Sequence, residues 1–445
     1  MTVTVRIPPS PTGYLQAGNG RMAVLNTLFA MRQGGRVLLR IDDTDDTRSK
    51  PEFEQAIVED LAWLGLHHDV YARQSDRIPA YETAAERLKS SARLYPCYES
   101  AAELERKRKR QMAAGKPPIY DRAALKLSAD ERAKLEEAGR RPHWRFLLSH
   151  KKVVWNDLIR GHVEIDTSTL SDPVLIREDG RFLYTLPSVV DDIDFEISDV
   201  VRGEDHVTNT APQIEIFEAL GASLPNFAHY PLFVTAGGEV LSKRLGSLSL
   251  RAMREDGIEP MALVTYVAKI GTSDPVEPHL SLAALASEFA FEKIGRAPAR
   301  FDFVELQNLN TRLLHALPYE SVAARLEDMG IAGDETFWKA VQPNLAKLSD
   351  AADLWRLIVG PVSPALENKV LTAKAAELIP AEPWDETTWS GWTARVSKEC
   401  GLTGRALFHP LRLALTGADH GPEMKKLLPL IGRARAVARL KGETA

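Results

Sequence analysis

Val3-Thr4-Val5-Arg6-Ile7-Pro8-Pro9-Ser10-Pro11-Thr12-Gly13-Tyr14-Leu15-Gln16-Ala17-Gly18-Asn19 opens on a β-branched run and closes on a glycine-containing turn. Beyond it Met22, Leu25, Leu28 and Phe29 recur at helical spacing, so the stretch predicts strand, turn and helix N-terminus in succession. Such a turn lets backbone N–H groups approach an anion, and the helix dipole adds roughly half a positive charge at the same point. This is the geometry of a phosphate site at the edge of a parallel sheet.

Working outward, short β-branched runs alternate with helix-period segments over residues 3–75, the pattern of βαβ units. Arg36–Ile41 is the predicted second strand and Glu52–Leu66 the next helix. Glu99–Lys134 is strongly charged and predicted helical, with Arg106-Lys107-Arg108-Lys109-Arg110 in its middle. Residues 140–185 predict short strands with turns at Arg160-Gly161 and Asp179-Gly180, and hence an inserted domain. The sheet is expected to resume at Leu183-Tyr184-Thr185, continue through Asp199–Arg202 and return at His229–Val234. The expected division is a doubly wound catalytic domain in two halves, 1–76 and 186–238, interrupted by 77–185. A region at 239–310 follows, and from 311 to 445 the pattern is helical, broken at Gly360–Pro364 and Pro380–Pro383.

The chain has 445 residues, room for about three domains. Its 44% hydrophobic and 26% charged content is that of a folded protein, and the net charge of −5 excludes a molecule coated in basic charge. A nucleic-acid partner would therefore be held by local patches. Residues 391–445 provide one, with ten Lys/Arg against four acidic residues; by itself it reads first as a solvated helix face. Cys97 and Cys400 cannot form a disulfide framework and suit a reducing compartment, and there is no stretch of signal-peptide or membrane-span character, so the cytoplasm is the expected location; a monomer is the separate expectation.

A second short stretch, Val240-Leu241-Ser242-Lys243-Arg244, places two cations between Gly237-Gly238 and Gly246, suited to stabilising charge that develops on a phosphate. Together the two stretches resemble the paired signatures of class I aminoacyl-tRNA synthetases. Arg6–Gly13, Leu39-Arg40-Ile41-Asp42-Asp43-Thr44-Asp45 and Val200-Val201-Arg202-Gly203-Glu204-Asp205-His206 are similar to the opening, the second strand and the adenosine-side strand of the glutamyl-tRNA synthetase family. The resemblance runs over nearly the whole chain and is strongest before about residue 310. It implies a split Rossmann-type α/β catalytic domain, an inserted α/β domain for the acceptor stem, and a helical anticodon-binding region.

The resemblance also implies roles. Lys243 and Arg244 would serve the ATP phosphates, with Gln16, Gly18 and Asn19 at the phosphate turn and Asp205 beside the adenosine. Arg6 and Arg202 would hold the glutamate γ-carboxylate, Asp42 its ammonium, and Pro8, Ser10, Tyr184 and Ser188 would line the pocket. Three positions depart from the family pattern: Gln16 stands for its first His, Asp42 for its Glu, and Ser188 for a frequent Asn. Gln16 donates a hydrogen bond but cannot become cationic. The implied substrates are glutamate, ATP with Mg2+, and tRNA(Glu), with tRNA(Gln) an open alternative.

Asp42-Asp43-Thr44-Asp45-Asp46 lacks the glycine and distal Glu of a calcium loop, leaving Asp45 to cap a helix or order the site. Asp191-Asp192-Ile193-Asp194 reads as structural capping. The family's insertion often holds zinc, but Cys97 is followed by Glu99, and the Tyr120-Asp121 region has no Cys, so neither zinc nor any other protein-bound metal is expected. Competing readings are a synthetase-derived tRNA-binding protein with weak or lost catalysis, a glutamylase of tRNA-bound queuosine, and a glutaminyl-tRNA synthetase. Retention of Lys243, Arg6 and Arg202 weighs against the first, and the helical C-terminal third against the others.

Overall fold

The computed structural model describes residues 2–235, 237–238 and 249–445, which fall into two units, 1–256 with 263–303, and 257–262 with 304–445. In the first, β1 (Thr4–Ile7), α1 (Ala17–Gln33), β2 (Arg36–Ile41), α2 (Pro51–Trp63) and β3 (Val70–Arg73) succeed one another as the sequence predicts. β1 pairs with β2 from Thr4↔Arg36 to Ile7↔Leu39, and β2 with β3 from Leu38↔Val70 to Ile41↔Arg73, all parallel. Val5, Ile7, Leu38, Leu39 and Ile41 are buried, as strands covered on both faces require.

α3 (Ile78–Ser90) leads to an antiparallel sheet in which β5 (His143–Phe146) lies between β4 (Leu94–Cys97) and β8 (Val174–Ile176). The charged segment expected as one helix over 99–134 is instead α4 (Ala101–Ala113) and α5 (Ala129–Glu137), parted where Gly115 takes φ +67° and Pro117-Pro118 forbid helix. Each half starts on a capping box, Ser100 with Glu103 and Ser128 with Glu131.

The hairpin of β6 (Lys152–Asp157) and β7 (Gly161–Asp166) falls within the stretch read as an insertion, yet β6 pairs with β10 (Asn226–Tyr230), which pairs in parallel with β9 (Asp199–Gly203). The alternation of Val153, Trp155 and Asp157 inward against exposed Lys152, Val154 and Asn156 gives β6 one covered and one open face, and β7 is the edge of this sheet.

A strand expected at Leu183-Tyr184-Thr185 is not one. Phe182 makes a single bridge to Ile176, and Tyr184 is the N-cap of α6 (Thr185–Asp194). The apolar and aromatic residues there suggested a strand but serve the buried face of a helix. The return expected as one strand over 229–234 is split by Pro231 into β10 and β11 (Phe233–Thr235).

β1 and β9 are stitched by Ser198, whose N–H donates to Thr4 O (3.0 Å) while its Oγ accepts from Thr4 N (2.8 Å). The strand order across this seam is β3-β2-β1, then β9-β10. α1 follows β1 and α7 (Val207–Ala219) follows β9, so the chain turns opposite ways from two neighbouring strands. The crevice beyond their C-terminal ends is the switch point where doubly wound sheets bind ligands.

After the segment outside the described residues come α8 (Leu250–Glu255), α9 (Pro260–Lys269), α10 (Leu282–Glu288) and β12 (Ala299–Phe301), which pairs with β11. The second unit is helical, as expected from residue 311, with its breaks at 360–368 and 379–385. Its core closes on Phe337, Trp338 and Trp392; the indole N–H groups of the two tryptophans donate to Leu317 O and Ala375 O.

Candidate active site

The C-terminal ends of β1, β2 and β9 each deliver a buried arginine, Arg6, Arg40 and Arg202. Arg40 sits among carboxylates. Its Nε and Nη2 grip Asp42 (2.7 and 3.1 Å), Nη1 reaches Asp192 Oδ1 (3.0 Å), Nη2 also reaches Ser188 Oγ (3.3 Å), and Nε lies 3.5 Å from Asp191. Burial pushes the Asp42 carboxyl up to about 6, with Arg40 acting against it. Asp191 is further held by Gln74 (2.8 Å), Arg77 (2.7 Å) and Tyr81 (3.0 Å). The acidic residues of α6 are thus not caps. Asp191 and Asp192 neutralise Arg40 and Arg6 of the sheet and Asp194 pairs with Arg77, roles invisible in sequence because Arg40 and Asp192 are 152 positions apart.

Arg6 donates Nε–H to Asp192 (3.2 Å), but its Nη1 is buried without a hydrogen-bond partner. Arg202 is held by uncharged groups alone. Nε donates to His229 Nε2 (3.1 Å), Nη1 to Tyr184 Oη (3.1 Å), and Nη2 to Thr210 Oγ1 and Gln213 Oε1 (2.8 Å each). His229 in turn donates from Nδ1 to Asp157 Oδ2 (2.5 Å). Burial lowers the imidazole's pKa, keeping it neutral with Nε2 as acceptor. Against its own burial, Asp157 is held at about 2 by His229 and by the N–H groups of Arg160 and His229. The chain Asp157–His229–Arg202 therefore fixes the plane of a guanidinium whose own pKa burial lowers and which, among the described residues, has no carboxylate hydrogen-bond partner. A buried cation left in this state awaits an anion.

Tyr184 and Ser188, one turn apart on α6, border these arginines, and His206 adjoins Tyr184 (Oη to Nδ1, 3.5 Å). Burial lowers His206 to about 4, so it too is neutral. Pro8 is half-buried and Ser10 exposed just past β1, where Pro9 O accepts from Asp42 N (2.9 Å) and so ties the ends of β1 and β2. Asp205 is exposed at the end of β9. A Cβ on Gly203 would stand 2.5 Å from its carboxylate and 2.9 Å from Leu232 Cδ2, so a larger residue would displace both side chains.

Gln16 is the N-cap of α1, and no acidic side chain occupies the first turn. Asn19 Oδ1 accepts from Gln16 N (3.1 Å), and the Gln16 amide donates to Tyr14 O (3.2 Å) while remaining half-exposed. Gly18 and Asn19 are exposed, and none of the described residues crowds Gly18. Asp45 caps no helix; it binds Thr47 and Arg48 of its own turn. Lys243 and Arg244 lie outside the described residues.

Cys97, Glu99 and Tyr120 do converge, with Tyr120 Oη 3.0 Å from Glu99 and 3.7 Å from Cys97 Sγ. Lys107 Nζ stands 3.2 Å from both Glu99 and Asp121, and burial pushes the Cys97 thiol up to about 11. One protonated thiol and a carboxylate already facing an ammonium do not fit a tetrahedral zinc ion.

The C-terminal basic patch is smaller than its sequence count. Arg439 is fully buried, its guanidinium donating to the carbonyls of Ala445, Leu357, Leu415, Ile358 and Gly360, and Arg412 donates to Pro422 O. Arg395, Lys398 and Arg405 are exposed.

A switch-point crevice with a helix N-terminus on one side and buried arginines on the other has the geometry of a nucleotide-using enzyme with an anionic second substrate, the arrangement of the class I synthetase type. The chain matches the family model for the catalytic domain of class I tRNA synthetases (E and Q) over residues 2–307 and that for an anticodon binding domain over 311–443, and it belongs to this family. It is 56% identical over 443 residues to glutamate–tRNA ligase 2 of Methylorubrum populi (99% of each chain). It is 58% identical over 442 residues to glutamate–tRNA ligase 1 of Parvibaculum lavamentivorans (99% of this chain, 98% of that one). A crystal structure of a glutamate tRNA ligase from Elizabethkingia meningosepticum in complex with its amino acid superposes with a TM-score of 0.87 at 26% identity, covering 99% of this chain and 98% of that one.

Proposed function

We propose that this protein is a glutamate–tRNA ligase. The glutamate α-carboxylate attacks the α-phosphorus of ATP, pyrophosphate leaves, and a hydroxyl of the terminal tRNA ribose then attacks the acyl carbon of glutamyl-adenylate, releasing AMP. The observation that carries the reading is the pair Arg202, a buried cation whose hydrogen-bond partners among the described residues are all uncharged, and Arg6, whose buried Nη1 has no partner among them. Together they call for a ligand carboxylate in bidentate geometry.

Asp42 keeps lone pairs beyond those used by Arg40 and takes the substrate ammonium, while Pro8, Ser10, Tyr184 and Ser188 shape the pocket. Gln16, Gly18 and Asn19 meet the ATP phosphates, Asp205 the adenosine side, and Lys243 with Arg244 the charge that builds as pyrophosphate leaves. Mg2+ enters with ATP; zinc has no part. The protein acts as a cytoplasmic monomer, with the acceptor stem taken by the residue 77–185 segment, stem contacts at 239–310 and the anticodon at 311–445. Charging of purified tRNA(Glu) and tRNA(Gln) with labelled glutamate tests this. Glutamyl-tRNA(Glu) is the expected product; ATP consumption without charged tRNA would overturn the reading, and charging of tRNA(Gln) as well would define a broader acceptor range.

A further inference from the structure

Gly20 lies inside α1, one turn beyond the Gln16 N-cap, at ordinary helical φ. Glycine weakens a helix interior relative to alanine, and the helix itself does not require it here. What it admits is Leu250: a Cβ on Gly20 would stand 3.1 Å from Leu250 Cδ2 and 3.7 Å from Cδ1, and Leu250 is fully buried.

The backbone agrees with the side chains. Leu250 N–H donates to Leu15 O (2.9 Å), and Ser249 bridges to Gln16 in antiparallel fashion. Beside them the Arg251 guanidinium lies 5.3 Å over the Tyr14 ring, and Tyr14 packs edge-on against Phe53 at 5.3 Å. The residues that close the basic segment are thus fastened, on both sides of Leu15-Gln16, to the turn that opens α1. Ser249 is six positions after Lys243.

We infer that the Gly20–Leu250 seat is a positioning contact for the reaction, fixing where the chain bearing Lys243 and Arg244 rejoins the phosphate end of α1. Neither residue touches substrate. The inference rests on the assignment of Lys243 and Arg244 to the ATP phosphates given above. Because the seat is set by the summed size of two side chains, its signature is reciprocal: enlarging one member harms and shrinking the other repairs.

The test uses the full chain and three variants, Gly20→Ala, Leu250→Val and the double Gly20→Ala/Leu250→Val. Glutamate charging is measured at saturating tRNA, and ATP and glutamate affinities by calorimetry. Gly20→Ala should lower kcat at least fivefold and weaken ATP binding at least threefold, with glutamate affinity within twofold of the parent. The double variant should recover to within twofold of the parent in both. A Gly20→Ala protein with parental kcat and ATP affinity overturns the inference, as does a double variant no better than Gly20→Ala or a loss shared equally by glutamate. Should Gly20→Ala fail to fold, Leu250→Ala replaces it and must show the same kcat and ATP losses with glutamate affinity kept. A parent that binds ATP but does not charge tRNA refutes the proposed function, and ATP affinity across the variants still decides the seat.

Discussion

Arg202 and Arg6 occupy equivalent strand ends but stand in different electrostatic states, and the difference predicts how each variant fails. Arg6 shares Asp192 with Arg40, so Arg6→Ala leaves that carboxylate paired and should raise the KM for glutamate by about 10–100-fold, the worth of a charged hydrogen bond, with a smaller effect on kcat. Arg202→Met should do at least as much, since its charge has no other anion to satisfy. A KM within twofold of the parent would remove either residue from the pocket. Asp42 carries the pH dependence. With its carboxyl raised from 3.8 to about 6, the ammonium site is lost as pH falls through about 6, and glutamate affinity should fall with it. Over the same window the native state binds the extra proton more tightly than the unfolded chain does, so this group's contribution to stability grows as pH falls from about 6 to about 4. Binding titrations and thermal melts should therefore move in opposite directions, and Asp42→Asn should flatten both. Gln16 decides whether an amide suffices where the family has His. Its half-exposed side chain at the N-cap is in place to donate, so Gln16→Ala should cost about one to two powers of ten in rate, while Gln16→His retains or raises it. A parent without glutamate-dependent activity that gains it on Gln16→His would instead mark the present site as inactive.

At the scale of elements, residues on three strands join to hold one guanidinium: Asp157 on β6, His229 on β10 and Arg202 on β9. Asp157→Asn removes the acceptor that commits His229 to the Nδ1–H tautomer. Nε2 is then free to carry the proton and would face Arg202 Nε–H donor to donor. Glutamate KM should rise about tenfold at temperatures where the variant is still folded, and a tritium-labelled glutamate binding assay at fixed pH checks it. An unchanged KM would make the relay merely structural. This relay also marks where sequence stops being informative. β1, β2 and β9 are legible because runs such as Val3–Ile7 and Arg36–Ile41 can be little other than covered parallel strands. The arginines at their ends are legible through the family motifs. Their partners are not, because Asp157, His229, Asp191 and Asp192 acquire meaning only when the sheet brings them within 3.5 Å of groups up to 186 positions away. Leu183-Tyr184-Thr185 misleads for the converse reason: β-like composition is overridden by the buried helical face of Leu186, Val189 and Val190.

On the scale of the whole chain, the two units divide cations into those that hold structure and those left for a partner. Arg439 belongs to the first kind. Its guanidinium satisfies five backbone carbonyls in the core of the helical unit, so Arg439→Met should destabilise that unit by on the order of 3 kcal/mol or more, as buried acceptors lose their donor. Lys398 and Arg405 are exposed and have no ion pair among the described residues, which leaves their charge for phosphates. The double change Lys398→Glu/Arg405→Glu should therefore leave the melting curve and the glutamate KM near the parent's while raising the KM for tRNA. The dependence of log tRNA affinity on log salt should also become shallower by about one to two, as fewer counterions are released. Equilibrium binding of tRNA across a salt series separates the two classes, because Arg439→Met should weaken binding only at temperatures where the helical unit begins to melt. An unchanged salt slope in the double variant would show that these two cations face solvent rather than nucleic acid, and the remaining exposed cations, Arg395 first, would be the next to carry the contact.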